Sequence, residues 1–196
     1  MVNYLTLGYD CSTATTLRNL ELRKYALPFD WVVSSRDALT KCINDDFKLY
    51  HKDLKLHTSK NKLVDGYGFE FPHDYPTISS SYTEDIEIYN EDNIVDNWIE
   101  YHPVVLDKYN RRIERFLEIV NCKKPIITLY RGRVDDAILL KELLINKYDI
   151  NIIKFVVATL EKTSNSDVFV CNPESQGDWN NIEIWKNNLN LAIKSI

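Results

Sequence analysis

Residues 125–157 read PIITLYRGRVDDAILLKELLINKYDINIIKFVV, two apolar runs flanking a helical pattern, and their order decides the fold. Pro125–Tyr130 and Asn151–Val157 are continuously apolar rather than alternating, as in strands covered on both faces. Between them Asp135–Tyr148 has helical spacing, with Ile138, Leu139, Leu143 and Leu144 expected inward. Strand, helix, strand predicts parallel pairing through a right-handed crossover. Asn3–Gly8 reads as another buried strand, followed by a helix from about Ser12 to Leu22, with Ala14, Leu17 and Leu20–Leu22 on one face and Asp10 or Ser12 as N-cap. Ser34 or Ser35 caps a second helix running through Cys42. A long amphipathic helix is expected over Val104–Val120, facing inward through Leu106, Tyr109, Ile113, Phe116, Leu117 and Val120. A short strand at Asp167–Cys171 and a closing helix at Asp178–Ile196 complete the chain. Residues 50–92 lack helical periodicity and read as hairpins or a long excursion over one end of the sheet. The expected architecture is α/β: one domain over residues 1–196, a mostly parallel sheet flanked by helices, and an irregular insertion around residues 50–100.

The 196 residues are 44% hydrophobic and 27% charged, and a chain of this length buries about 70% of its unfolded surface without disulfides or a structural metal. Five glycines, and no G-x-G-x-x-G, Walker A or H-E-x-x-H motif, argue against a phosphate-cradling loop or a zinc protease site. A net charge of −5 argues against general nucleic-acid binding, which needs a basic surface. The four cysteines form no C-x-x-C, the N-terminus has no signal-peptide pattern, and no apolar run reaches about 18 residues. No membrane partner, no cofactor and no metal are expected, and the thiols are expected reduced in a cytoplasmic compartment.

In an open α/β sheet, ligands sit beyond the carboxyl ends of the strands. Three turns point there: Gly8–Cys11, Tyr130–Arg133 and the residues after Val157. The first sets Cys11 at a helix start, where free N–H groups and the helix dipole favour a thiolate and can hold an oxyanion. The competing reading is a small core residue, as Cys42, Cys122 and Cys171 are taken to be. A nucleophilic thiol needs a base, and His73, at the end of a strand-like stretch, is the candidate. His51 and His57 lie among lysines and read as solvated surface, and His102, before Pro103, as a turn residue. Asp30 and Asp74 are the carboxylates that can orient an imidazole, although Asp30 can equally cap a turn or meet Arg18 or Arg23. Asp10, Ser12, Arg131 and Arg133 are the candidate substrate-binding residues. The two arginines can grip a carboxylate or phosphate, or pair with Asp135 and Asp136.

Leu7-Gly8-Tyr9-Asp10-Cys11 with Ala14, Leu17-Arg18, Leu22-Arg23 and Leu27-Pro28-Phe29-Asp30-Trp31 resembles the opening of a papain-like cysteine peptidase family, also classed as a domain of unknown function. Phe71–Asp74, Tyr109–Phe116 and Pro125–Arg131 resemble its later stretches. The resemblance implies Cys11 as nucleophile, His73 as base, Asp30 or Asp74 as third member, and a bacterial or large-DNA-virus source, whose proteins would work in the host cytoplasm if viral. It also implies an alternative fold, the α+β papain layout. Three functions follow from the residues. One is a cysteine-dependent hydrolase or acyl transferase acting on a peptide, acyl or glycan substrate. Another is a glycan- or nucleotide-sugar-handling transferase that uses Arg131 and Arg133 without a catalytic thiol. The third is a non-catalytic module that binds through the Tyr-rich stretch 66–101.

Overall fold

A computed structural model describes residues 2–80, 92–172, 179 and 181–196. Its main sheet has the order β1 (Asn3–Leu7), β5 (Ile126–Arg131), β6 (Ile153–Ala158), β7 (Val168–Cys171), and every pairing in it is parallel. The sequence segments between these strands supply α1 (Ser12–Asn19), α2 (Arg36–Asn44), α3 (His102–Asn121) and α4 (Val134–Tyr148), and α5 (Ile182–Lys194) follows β7. The α/β expectation holds. Antiparallel pairing is confined, among the described residues, to a small sheet of β2 (Lys55–Leu56), β3 (Leu63–Val64) and β4 (Glu70–Phe71), and to isolated bridges. The α+β papain layout is therefore not the architecture that carries Cys11. Part of the excursion expected over residues 50–92, at 81–91, lies outside the described residues, as do 173–178 and 180 near the closing helix.

The period of two along β5 and β6 separates the two faces. Ile126, Tyr130, Ile153, Phe155 and Val157 turn towards α2, α3 and α4, while Ile127, Leu129, Val156 and Ala158 turn towards α1 and α5. Both faces are sealed, which explains the unbroken apolar runs. The first core continues into the small sheet through Phe29, Phe47, Tyr50, Phe69 and Phe116, whose rings lie 4.9–5.8 Å apart.

Several expected faces shift. The first helix ends at Asn19, where Leu20 closes it and Glu21 turns to φ 58°, so the run to Leu22 is not helical. On α3 the buried set is Val105, Lys108, Tyr109, Arg112, Phe116, Ile119 and Val120, leaving Leu106, Ile113 and Leu117 at its margins. On α4 it is Val134, Ala137, Leu140, Leu144 and Tyr148, and Leu139 is exposed. His51, expected on the surface, is fully buried: it sits in the left-handed region at φ 56°, which turns its ring under Tyr109 and Phe71.

Candidate functional site

The three turns foreseen at the carboxyl rim meet. Gly132 N–H donates to Ala158 O at 3.2 Å, joining the ends of β5 and β6. Arg131 Nη1 donates to Asp10 Oδ2 at 2.5 Å, joining the ends of β5 and β1. Gly132 is required at its place: φ is 154°, and a Cβ would lie 2.7 Å from the Tyr130 hydroxyl.

Cys11 is half-buried and stands just before α1, its carbonyl accepting the first helical bond from Thr15. Neither Asp10 nor Ser12 is the N-cap; that place is Cys11's, and it makes no side-chain cap. Asp10 nevertheless takes the Ser12 N–H through Oδ1 at 2.9 Å, so one acidic side chain satisfies both a helix N–H and Arg131. The consequence for the thiol reverses the expectation from helix position. Burial raises its pKa, and the Asp10 charge raises it further. Its own N–H, Arg131 and Arg18 pull the other way without prevailing. The balance favours the protonated thiol. Asp10→Asn removes the opposing charge, so the pH midpoint of Cys11 alkylation by iodoacetamide, read by peptide mass, is expected to move down. A midpoint unchanged or higher would refute this account of the thiol.

A crevice of about 360 Å³ opens beside this turn, lined by Tyr9, Arg131, Gly132, Thr159, Glu161 and Trp179 among others. The Arg131 guanidinium lies 4.7 Å from the Trp179 ring centre and 5.5 Å from that of Tyr9. Arg133, largely exposed, reaches Glu161 at 3.4 Å and Asp135 at 3.5 Å, while Glu161 Oε2 accepts the Val134 N–H at 2.7 Å. The N-termini of α1 and α4 are thus each held by a carboxylate of the chain itself. Asp136 pairs with Arg36 rather than with Arg131 or Arg133.

His73 belongs to a different neighbourhood. The stretch 30–34 follows the edge of β1, with Thr6 Oγ1 donating to Asp30 and Ser34 N–H to Tyr9 O. Val33 pairs antiparallel with Glu70, which brings His73 back beside Trp31, edge-on at 6.4 Å between ring centres. The same indole is covered by Arg18 of α1 at 5.3 Å and by Arg23 at 5.1 Å. Among the described residues no hydrogen bond joins the Cys11 thiol to an imidazole.

Neither candidate orienting carboxylate is directed at His73 by the bonds observed. Asp30, fully buried, accepts from Thr6, from Arg23 Nε at 3.1 Å and from Leu27 N–H at 2.9 Å. Asp74 accepts from Lys108 Nζ at 2.7 Å and from the Tyr109 hydroxyl at 2.7 Å. Around that pair lies a second polar cluster. His51 Nε2 meets the Tyr75 hydroxyl at 2.9 Å, which meets His102 Nδ1 at 3.1 Å, and Arg112 stacks on Tyr109 at 5.0 Å.

Sequence reasoning missed Tyr9, Thr159, Glu161 and Trp179 as crevice walls, although it pointed to the turns carrying the first three. It also missed the buried cations. Lys108 and Arg112, four apart and flanking the inward Tyr109, were the available signal.

A family model described as "Putative papain-like cysteine peptidase (DUF1796)" matches residues 2–162. The chain belongs to this family. The matched span takes in Cys11, His73 and Arg131 and ends just past Glu161, so Trp179 lies outside the part that defines the family. No curated protein and no solved structure matches the chain. Among the described residues no helix is long and apolar enough to cross a membrane.

Proposed function

We propose that this family member is a cysteine-dependent acyl hydrolase or acyl transferase, with Cys11 as nucleophile and His73 as base. One observation carries the reading: a half-buried thiol stands at a helix start on the carboxyl rim of a parallel sheet, in the turn whose Tyr9 lines an open crevice. The other three thiols fit less well. Cys42 and Cys171 are buried in apolar cores, and Cys122 sits at the far end of α3, donating to Ile119 O.

Of the four imidazoles, His51 and His102 are tied to Tyr75, and His57 is bonded to Ser59 on an exposed turn. His73, half-buried, is favoured as the base because it shares Trp31 with α1, the helix that Cys11 precedes. Proton transfer requires the His73 ring to come within hydrogen-bond reach of Sγ, directly or through one water. With the pull on the thiol pKa upward, deprotonation accompanies attack in this reading. Sγ bonds to the acyl carbon, the carbon–leaving-group bond breaks, and the thiol proton passes by way of His73 to the departing group. Water or an acceptor alcohol or amine then attacks the thioester, losing its proton to His73, and the sulfur recovers a proton as the C–S bond breaks.

The test uses p-nitrophenyl acetate. Intact and peptide mass spectrometry are expected to find an acetyl group on Cys11, and none at that position in Cys11→Ala. His73→Ala should slow its formation about 100-fold or more. Acetylation of Cys11 no faster than in the urea-unfolded chain would refute the reading, and an unchanged rate in His73→Ala would remove the base.

A further inference from the structure

The crevice that Tyr9 of the Cys11 turn lines also holds Arg131, which the acyl chemistry does not use. Arg131 lies against two aromatic rings and meets Asp10 through Nη1, while its Nε and Nη2 donors have no acceptor among the described residues. Set over both rings, the guanidinium keeps planar N–H donors that can match the two oxygens of an oxyanion. The volume of about 360 Å³ falls in the range of small-molecule sites. The Tyr9 ring, 54% exposed, offers apolar surface to whatever carries the oxyanion.

The charges around the crevice decide which oxyanion fits. Asp10 and Glu161 stand against Arg131 and Arg133, and Arg133 is also paired with Asp135. A dianion such as a phosphate monoester would meet two carboxylates with no surplus cation. A single carboxylate needs only the unused edge of Arg131. We infer that the crevice selects acyl substrates that carry their own carboxylate, which Arg131 receives between Tyr9 and Trp179 while the acyl carbon lies at Cys11. This specificity rests on Cys11 as the reacting group, but carboxylate binding itself does not.

Two esters of equal chain length separate the claims: p-nitrophenyl hydrogen adipate, with a free carboxylate, and p-nitrophenyl hexanoate, without one. Acylation of Cys11 is measured in the full chain after subtracting the Cys11→Ala rate. The adipate is expected to react about tenfold faster or more, the usual gain from a charge-assisted pair of hydrogen bonds. In Arg131→Gln the ratio of the two rates is expected to fall towards one, whatever happens to either rate alone. Arg131→Lys, which keeps the charge but not the planar fork, should lose most of the preference as well. In parallel, the Trp179 indole N–H signal, assigned with Trp179→Phe, is followed by NMR during titration with free adipate and with inorganic phosphate. A shift with adipate in the wild type but not in Arg131→Gln supports the site. Acylation of Cys11 without any preference would overturn the inference and leave the nucleophile standing. No acylation, with an Arg131-dependent adipate shift, would remove the nucleophile and leave the carboxylate site. A shift with phosphate alone, or with neither ligand, would overturn the carboxylate assignment.

Discussion

Asp74→Ala is expected to destabilise the fold by about 3–5 kcal/mol, the usual cost of removing one partner from a buried ion pair. Asp74 is buried, and burial alone would raise its pKa. The charges of Lys108 and Arg112 and the bonds from Lys108 and Tyr109 outweigh that and bring it down to about 2. Lys108 and Arg112 are themselves nine-tenths buried. Arg112 relies on this carboxylate at a distance, since its Nη1 has no hydrogen-bond partner. Alanine leaves both cations in a low-dielectric layer and also takes the acceptor of the Tyr109 hydroxyl. Asp74→Asn should recover part of the loss by keeping the Tyr109 bond. The double change Asp74→Ala with Lys108→Met should be less damaging than the two effects summed. Urea unfolding followed by tryptophan fluorescence measures these three and Lys108→Met alone. A loss below about 1 kcal/mol for Asp74→Ala would mean that the cations find other acceptors cheaply.

The second large effect is on acid stability, and it comes from His51. Burial lowers its pKa to about 3. Asp74 opposes that shift, while His102, Lys108 and Arg112 reinforce it. The folded state therefore refuses a proton that the unfolded chain accepts near 6.5. A depressed pKa contributes stability in full above 6.5, and the contribution is lost as pH falls from there towards 3. The whole swing is up to about 5 kcal/mol. Asp65, whose carboxylate accepts the His51 N–H at 3.0 Å, works in the opposite sense. Burial raises its pKa to about 6, so acidification through that value favours the fold. The His51 share is isolated by comparison with His51→Asn, which tolerates the left-handed backbone and cannot take the proton. Its urea midpoint should depend less on pH between 6.5 and 4 than the wild type's, whatever its stability at pH 8. Parallel curves would refute the assignment.

These two groups also mark how far the sequence could be read. The strands β5 and β6 were legible because burial on both faces leaves no polar position to confuse the period. The end of β1 was legible from Gly8 and the helix pattern that follows. Lys108 and Arg112 were not, because an amphipathic stripe is drawn by counting cations as solvent-facing. What buries them is Asp74, more than thirty residues earlier and on another element. His51 misled for the same reason: Lys48 and Lys52 point to water, but a left-handed backbone turns the ring between them inward. The position of Cys11 at the start of α1 was legible, and the upward pull on its pKa was not. Helix position favours an anion, whereas the direction in which Asp10 points depends on Arg131, 121 residues away.

Asp10 and Glu161 give the rim of the sheet an unexpected character. Helix starts converging on one edge ordinarily project a positive potential into solvent, which gathers anions before they touch the surface. Here each dipole ends on a carboxylate belonging to the chain, so little field escapes. A ligand is recognised only once it is in contact, and added salt has correspondingly little long-range attraction to screen.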